Sequence, residues 1–266
     1  MQWTAQGDQS APPFPEADGR TGRQRLAVAA RRLGLAAGTL VLIFVLTFGL
    51  LLLITPSTSN ARELAQAFDR AHRANYPGVV VPFRFATSLE ATEDHRFGSE
   101  PGIDPLAVGR VLYGYASGRG DQGGATLYQQ LAKMLYTPGR AGFAAEAEQV
   151  ALAVKLRYSY SGTEILRLYA DVAYFGHGFY GLQNAGCGYF GVRPAQLSWP
   201  QAALLAGLVQ APTLDDPLDH PAAGFAREQH VIGRLVSVGA LSRAAADRYL
   251  AIPLSVLLSH AGGCRG

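Results

Sequence analysis

Between Leu33 and Ile54 the chain reads LGLAAGTLVLIFVLTFGLLLLI, apolar on every side of a helix and free of charge. At about 1.5 Å of rise per residue it can cross a hydrocarbon core of about 30 Å, which predicts one transmembrane helix. Beyond it the pattern turns amphipathic. Asn60 followed by Glu63 has capping-box spacing, and Leu64, Phe68 and Ala71 share one helical face up to the stop at Tyr76, Pro77 and Gly78. This short helix either packs on the following domain as a connector or touches lipid headgroups. Val79, Val80 and Val81 before Pro82 suggest a brief strand. From Leu89 onward, segments 144–158, 162–173, 197–209 and 223–250 carry apolar residues at three- and four-residue spacing, separated by glycine-rich loops.

The fold class expected is therefore mainly α, preceded by one transmembrane helix. Its organisation is a disordered basic cytoplasmic tail over 1–32, a transmembrane helix over 33–54, and a membrane-proximal linker with the amphipathic helix over 55–83. A helical domain over 84–250 and a C-terminal tail over 251–266 complete it.

Charge sets the direction of the span. Arg20, Arg23, Arg25, Arg31 and Arg32 precede it and the first positive residue after it is Arg62, which predicts an N-terminus in the cytoplasm and a domain outside it. A cleaved signal peptide is the competing reading, but the apolar run exceeds a usual signal-peptide core. Residues 1–19 are polar and proline-rich, with too little apolar surface to order themselves. The net charge of +3 is concentrated before the membrane, so nucleic acid is not expected as a partner. Cys187 and Cys264 are too few and too distant in sequence for a zinc site or a disulfide framework; outside the cytoplasm they can pair, but Cys187, in a run of small residues, reads first as simply buried.

Two clusters carry candidate chemistry. The first places Glu90, Glu93, Asp94, Glu100 and Asp104 within fifteen residues. Crowded carboxylates raise one another's pKa, which suits a general base, a metal site or, on composition alone, a solvated rim. The second is GGATLYQQLAKM over 123–134, where Gly123 and Gly124 open a helix whose free amides can receive an anion or sugar oxygens.

Together the clusters resemble the glycosyltransferase domain of monofunctional peptidoglycan transglycosylases and class A penicillin-binding proteins. That family's first motif, E-D-x-x-F-x-x-H-x-G, appears as EDHRFGSEPG from Glu93, and its second, G-G-S-T-I-T-Q-Q-L-A-K-N, as GGATLYQQLAKM. The likeness continues through EILRLYAD from Glu164, YFGHGFYG at 174–181, GYFGVRPAQLSWPQAALLAGLVQAP at 188–212, and Arg227 followed by His230. It covers roughly residues 84–248. It implies a lysozyme-like helical glycosyltransferase domain with a smaller membrane-proximal lobe, and a cleft for growing glycan strand and incoming lipid II. In that reaction an acceptor 4-hydroxyl attacks the donor's anomeric carbon and expels a lipid pyrophosphate. Glu93 matches the general base. Asp94, Thr126, Gln129, Gln130, Lys133 and Arg140 would surround sugars and pyrophosphate. Magnesium or manganese is the cofactor implied, with no organic cofactor and no protein metal ligand assigned. The membrane and other cell-wall synthesis proteins are the further partners expected.

The third family motif, R-K-x-x-E-x-x-x-A-x-x-L-E, departs. Laid without gaps it puts Gln149 where the second essential glutamate belongs, while a slip of one residue would bring Glu148 there, rotated by about 100° on the helix. Glu100 stands for the motif-one His, Ala125 and Tyr128 for motif-two Ser and Thr, Met134 for its Asn, and the YLN end of the fourth motif reads Tyr169, Ala170, Asp171. Three readings follow: a transferase resting on Glu93 and the positive residues Lys133, Arg140 and Lys155; a non-catalytic relative that binds lipid II or nascent glycan as a scaffold; and a lysozyme-like hydrolase, for which no matched second carboxylate is evident. No transpeptidase domain is expected after residue 250. His177 and Tyr180 read as structural turn residues, Asp215, Asp216 and Asp219 as loop chemistry without compact ligand spacing, and Tyr158 and Tyr160 as helix-end packing.

Overall fold

The N-terminal helix, α1, runs from Gly19 to Ile54 in the computed structural model, which describes residues 19–74, 78, 80–104, 113, 117, 125–252, 254–256 and 264. Residues 1–18, Val79, the Gly123–Gly124 pair and most of the C-terminal tail lie outside these. The helix starts well before Leu33, so residues 19–32 are helical rather than disordered. Their Arg, Ala, Leu and Gln are good helix formers, and nothing between them and the apolar run stops propagation. Leu26–Ile54 has the length and apolar composition to cross a membrane, and none of it is buried.

The chain divides into two units, Met1–Leu50 and Leu51–Gly266. The second is helical, as expected: α2 (Ala61–His72), α3 (Phe83–Glu93), α4 (Leu127–Tyr136), α5 (Phe143–Ser159), α6 (Gly162–Val172), α7 (Leu182–Phe190), α8 (Trp199–Leu208), α9 (Pro221–Ser237) and α10 (Arg243–Leu250). Among the described residues the β pairing is limited to a bridge between Tyr174 and Tyr180, and Val80 lies exposed with no strand partner.

At the centre lies α8. Ser198 and Gln201 form a capping box at its start, Pro200 sits in its first turn, and Ala202 through Leu208 are all buried. A helix apolar all round must be enclosed, and α3 and α9 enclose this one. Gly207 permits the approach of α9: a Cβ there would lie 2.3 Å from Arg227 Cγ. Around this centre α4 packs on α5, and α6 packs on α2 and α4.

Several local expectations are corrected. Asn60 precedes α2 but makes no side-chain cap; its Oδ1 instead accepts from Tyr136 Oη at 3.1 Å. With Leu64 and Phe68 against the core, α2 is a connector packed on the domain. Segment 223–250 is two helices, because the chain turns at Gly239 and Ser242 caps a new helix by accepting from Ala245 N–H. Tyr160 is buried, donating to Thr58 O at 2.8 Å, whereas Tyr158 is exposed. Lys155 is committed elsewhere than the positive cluster: its Nζ donates to Thr55 O and Pro56 O at 2.7 and 3.0 Å. Cys187 is buried but not free. It is disulfide-bonded to Cys264, a pairing that sequence distance hides and that the fold allows with Cα atoms 5.1 Å apart.

Candidate active site

Glu93 is the last residue of α3, and the residue after it fixes where it points. Asp94 leaves the helix in a non-helical conformation, and its Oδ2 accepts from Leu127 N–H at 3.1 Å, the first free amide of α4. Thr126 completes that junction, accepting from Gln129 N–H at 3.2 Å and donating to Gly102 O at 2.8 Å. The end of α3 is thereby locked to the start of α4. Asp94 and Thr126, expected to meet substrate, are buried and occupied in building this joint.

The joint brings Glu93 to Gln130. Gln130 Nε2 donates to Glu93 Oε2 at 2.9 Å and to Ala125 O at 3.2 Å, while Gln130 Oε1 accepts from Tyr169 Oη at 2.7 Å. Tyr169 comes from α6 and is itself buried, so the amide is held at both ends. Burial pushes the Glu93 carboxyl above its ordinary range; Gln130 and the Arg227 guanidinium pull it back, and Asp94 adds to the rise. Arg227, on α9, is anchored by Asp215 Oδ2 at 2.8 Å and by Gln210 Oε1.

The acidic cluster is not a solvated rim. Asp94 and Glu100 are buried, and Glu100 is pushed up to about 7, first by burial and then by Asp94. Among the described residues neither Glu100 oxygen has a hydrogen-bond donor, and the nearby Asp94 carboxylate further disfavours its ionised form. At the margin of the cluster Asp104 pairs with Arg96.

Helical spacing aligns the rest. Gln129, Gln130, Lys133 and Thr137 fall within a stripe about 100° wide along α4, at 100° per residue. Lys133 is exposed and Gln129 half-buried. About 10 Å along the axis from Gln130, Thr137 ends the helix, and there Gln149 Nε2 donates to Thr137 Oγ1 at 2.9 Å. Gln149 is 5% exposed and neutral. Glu148, one residue round the helix, carries the charge and pairs with Arg140 at 2.8 Å. The arrangement puts the Glu93 carboxyl at one end of α4 and the Arg140–Glu148 ion pair, beside the neutral Gln149, towards the other. As donors for a divalent ion, that far end offers a single carboxylate already paired with arginine, which does not make a cation site.

Sequence reasoning assigned no role to Tyr169, Thr137 or Arg227. Arg227 was visible as part of an ordered motif, but its approach to Glu93 depends on α9 crossing α8. Tyr169 was visible as the tyrosine of the fourth motif, but its contact with Gln130 depends on α6 packing on α4.

A transglycosylase sequence profile matches residues 60–236, well over half of the chain. A predicted transglycosylase of Cupriavidus necator is 32% identical over 184 residues, covering 69% of this chain and 80% of that protein. Penicillin-binding protein 1A of Streptococcus oralis is 32% identical over 200 residues, and that of Aquifex aeolicus 30% over 245; the matches cover 74% and 84% of this chain. The chain belongs to the transglycosylase family, the peptidoglycan glycosyltransferases. It spans 31% and 34% of the lengths of those two penicillin-binding proteins.

Proposed function

We propose that this chain is a membrane-anchored glycosyltransferase that polymerises lipid II into glycan strands and releases undecaprenyl pyrophosphate. The observation that carries this reading is Glu93: a motif-matched carboxylate, half-buried and raised in basicity, held by Gln130 and Tyr169. An acceptor 4-hydroxyl placed at Glu93 gives its proton to the carboxylate as its oxygen bonds to the donor's anomeric carbon. The bond from that carbon to the pyrophosphate breaks, and the electron pair leaves with the phosphate oxygen. Pyrophosphate is a stabilised leaving group that needs positive charge more than a proton, and Lys133 and Arg140 are the groups this chain supplies for it. With α1 in the bilayer and the arginines inside, the domain works on the outer face, where the substrate's lipid is held in the same membrane.

A second reading rests on Gln149. With an amide at the second glutamate position, the chain would bind lipid II or nascent glycan without turnover and act as a scaffold. Incubating labelled lipid II with detergent-purified protein separates the two: polymer supports the transferase, and saturable binding without polymer overturns it in favour of the scaffold.

The Gln130 contact makes a further prediction. A general base must be deprotonated, so activity rises with pH through the apparent pKa of Glu93. Gln130→Leu removes a hydrogen bond that lowers that pKa, and the acidic limb of the pH–rate profile should move to higher pH. Tyr169→Phe, which only loosens the amide, should move it less. A limb that stays in place in Gln130→Leu would show that another group titrates.

A further inference from the structure

Away from Glu93, the fold brings His177 together with Asp216 and Asp219, two potential ligands that lie far from it in sequence. His177 sits in the turn closed by Phe179 N–H to Gly176 O at 2.8 Å and Phe175 N–H to Phe179 O at 2.9 Å. Asp216 and Asp219 come from the loop that leads into α9. His177 Nδ1 is 3.4 Å from Asp216 Oδ2 and 3.9 Å from Asp219 Oδ2, and the three donor atoms all lie within 4.8 Å of one another.

Asp216 marks this as more than a surface ion pair. Its side chain is 2% exposed. Oδ1 is saturated, accepting from Tyr189 Oη at 3.2 Å and Leu218 N–H at 3.0 Å. Oδ2 has no hydrogen-bond donor among the described residues and is turned toward the imidazole. Fixing one carboxylate oxygen by protein donors while the other faces inward is how outer partners orient a ligand for a metal. Asp219, by contrast, is 64% exposed and free to close on an ion from the solvent side.

We propose that His177, Asp216 and Asp219 form a divalent-metal site for zinc or manganese. Bonds of about 2.0–2.2 Å from one ion set donor atoms about 3–4 Å apart, so only a small movement of the exposed Asp219 is required. An imidazole with two carboxylates suits a borderline transition ion, whereas calcium and magnesium call for all-oxygen sets with more ligands. Two loops are joined by the ion: the Tyr174–Tyr180 turn, and the segment whose Asp215 holds Arg227 against the Glu93 region. The site is independent of whether the chain is a transferase.

The test is calorimetric titration of the full-length protein in detergent, stripped with chelator, with zinc and with manganese. One ion per chain is expected. Affinity should fall at least about ten-fold in Asp219→Asn and in His177→Asn, and should weaken on acidification because only neutral imidazole ligates. His177 has φ +50°, a conformation Asn tolerates, and Asp219 is exposed, so neither variant disturbs the fold. Thermal unfolding should shift upward with metal in the wild type and not in the variants. Absence of a saturable site, or the same affinity in the wild type and both variants, overturns the assignment.

Discussion

Glu93→Gln is expected to lower glycan polymerisation by about 10²- to 10⁴-fold, the usual contribution of a positioned general base, with the fold intact. Gln is nearly the same shape as Glu, and the burial that raises the carboxyl's pKa means that removing its charge costs the folded state nothing. The melting temperature should therefore stay level or rise slightly. Product formation from labelled lipid II, measured beside thermal unfolding, reads both effects. A variant that polymerises at the wild-type rate would remove Glu93 from the mechanism and turn attention to Glu148, whose pairing with Arg140 would then have to open.

Asp171→Asn should stabilise the protein at pH 8 by about 1–3 kcal/mol, the cost of a buried polar group left without a partner. Asp171 comes from α6 and Asp69 from α2, and both are buried. Among the described residues, neither oxygen of Asp69 finds a donor, nor does Oδ2 of Asp171. Asp69 is pushed up from 3.8 to about 7 by burial and then by Asp171. Asp171 rises to about 6, mainly by burial, against the opposing pull of the Gly78 amide and Arg167. Because folded values lie above unfolded ones, the native state holds protons that the unfolded chain has released. The stabilising contribution is complete below about pH 4 and is lost as pH climbs through about 6 to 7.

An asparagine keeps an acceptor for the Gly78 amide and adds an N–H for Asp69. The family's own pattern has Asn at this position. Gly78 itself must remain, since a Cβ there would collide with Asp171 Oδ1. Denaturation at pH 5 and pH 8 decides the matter: the wild type should weaken between them more than Asp171→Asn does. Parallel losses would show that the two acids are not coupled to folding.

What the sequence disclosed depended on how local the signal was. EDHRF and QQLAK are contiguous strings, so Glu93, Gln129, Gln130 and Lys133 could be named from the motifs themselves. Roles were less legible. Asp94 and Thr126 were placed at the substrate by the family resemblance, yet both are spent on the first turn of α4. Tyr169, Arg227 and the grouping of His177 with Asp216 and Asp219 depend on helices meeting across the core, and no spacing within one segment encodes that. The same limit explains Asn60, whose capping signal yielded to a tertiary hydrogen bond from Tyr136. It also explains the cysteines, which pair across a sequence separation of 77 residues.

That disulfide has a mechanical meaning. It closes a covalent ring around α8, α9 and α10, from Cys187 on α7 to Cys264. Tension applied between the N-terminal helix and a point beyond residue 264 passes through the sulfur bridge and never loads the enclosed segment. At about 3.5 Å per residue, about 270 Å of chain is withheld from extension until the bridge is reduced. Arg227 and the loop bearing Asp215 and Asp216 lie inside that ring, so while the bridge holds, a pull on the ends reaches them only through side-chain packing.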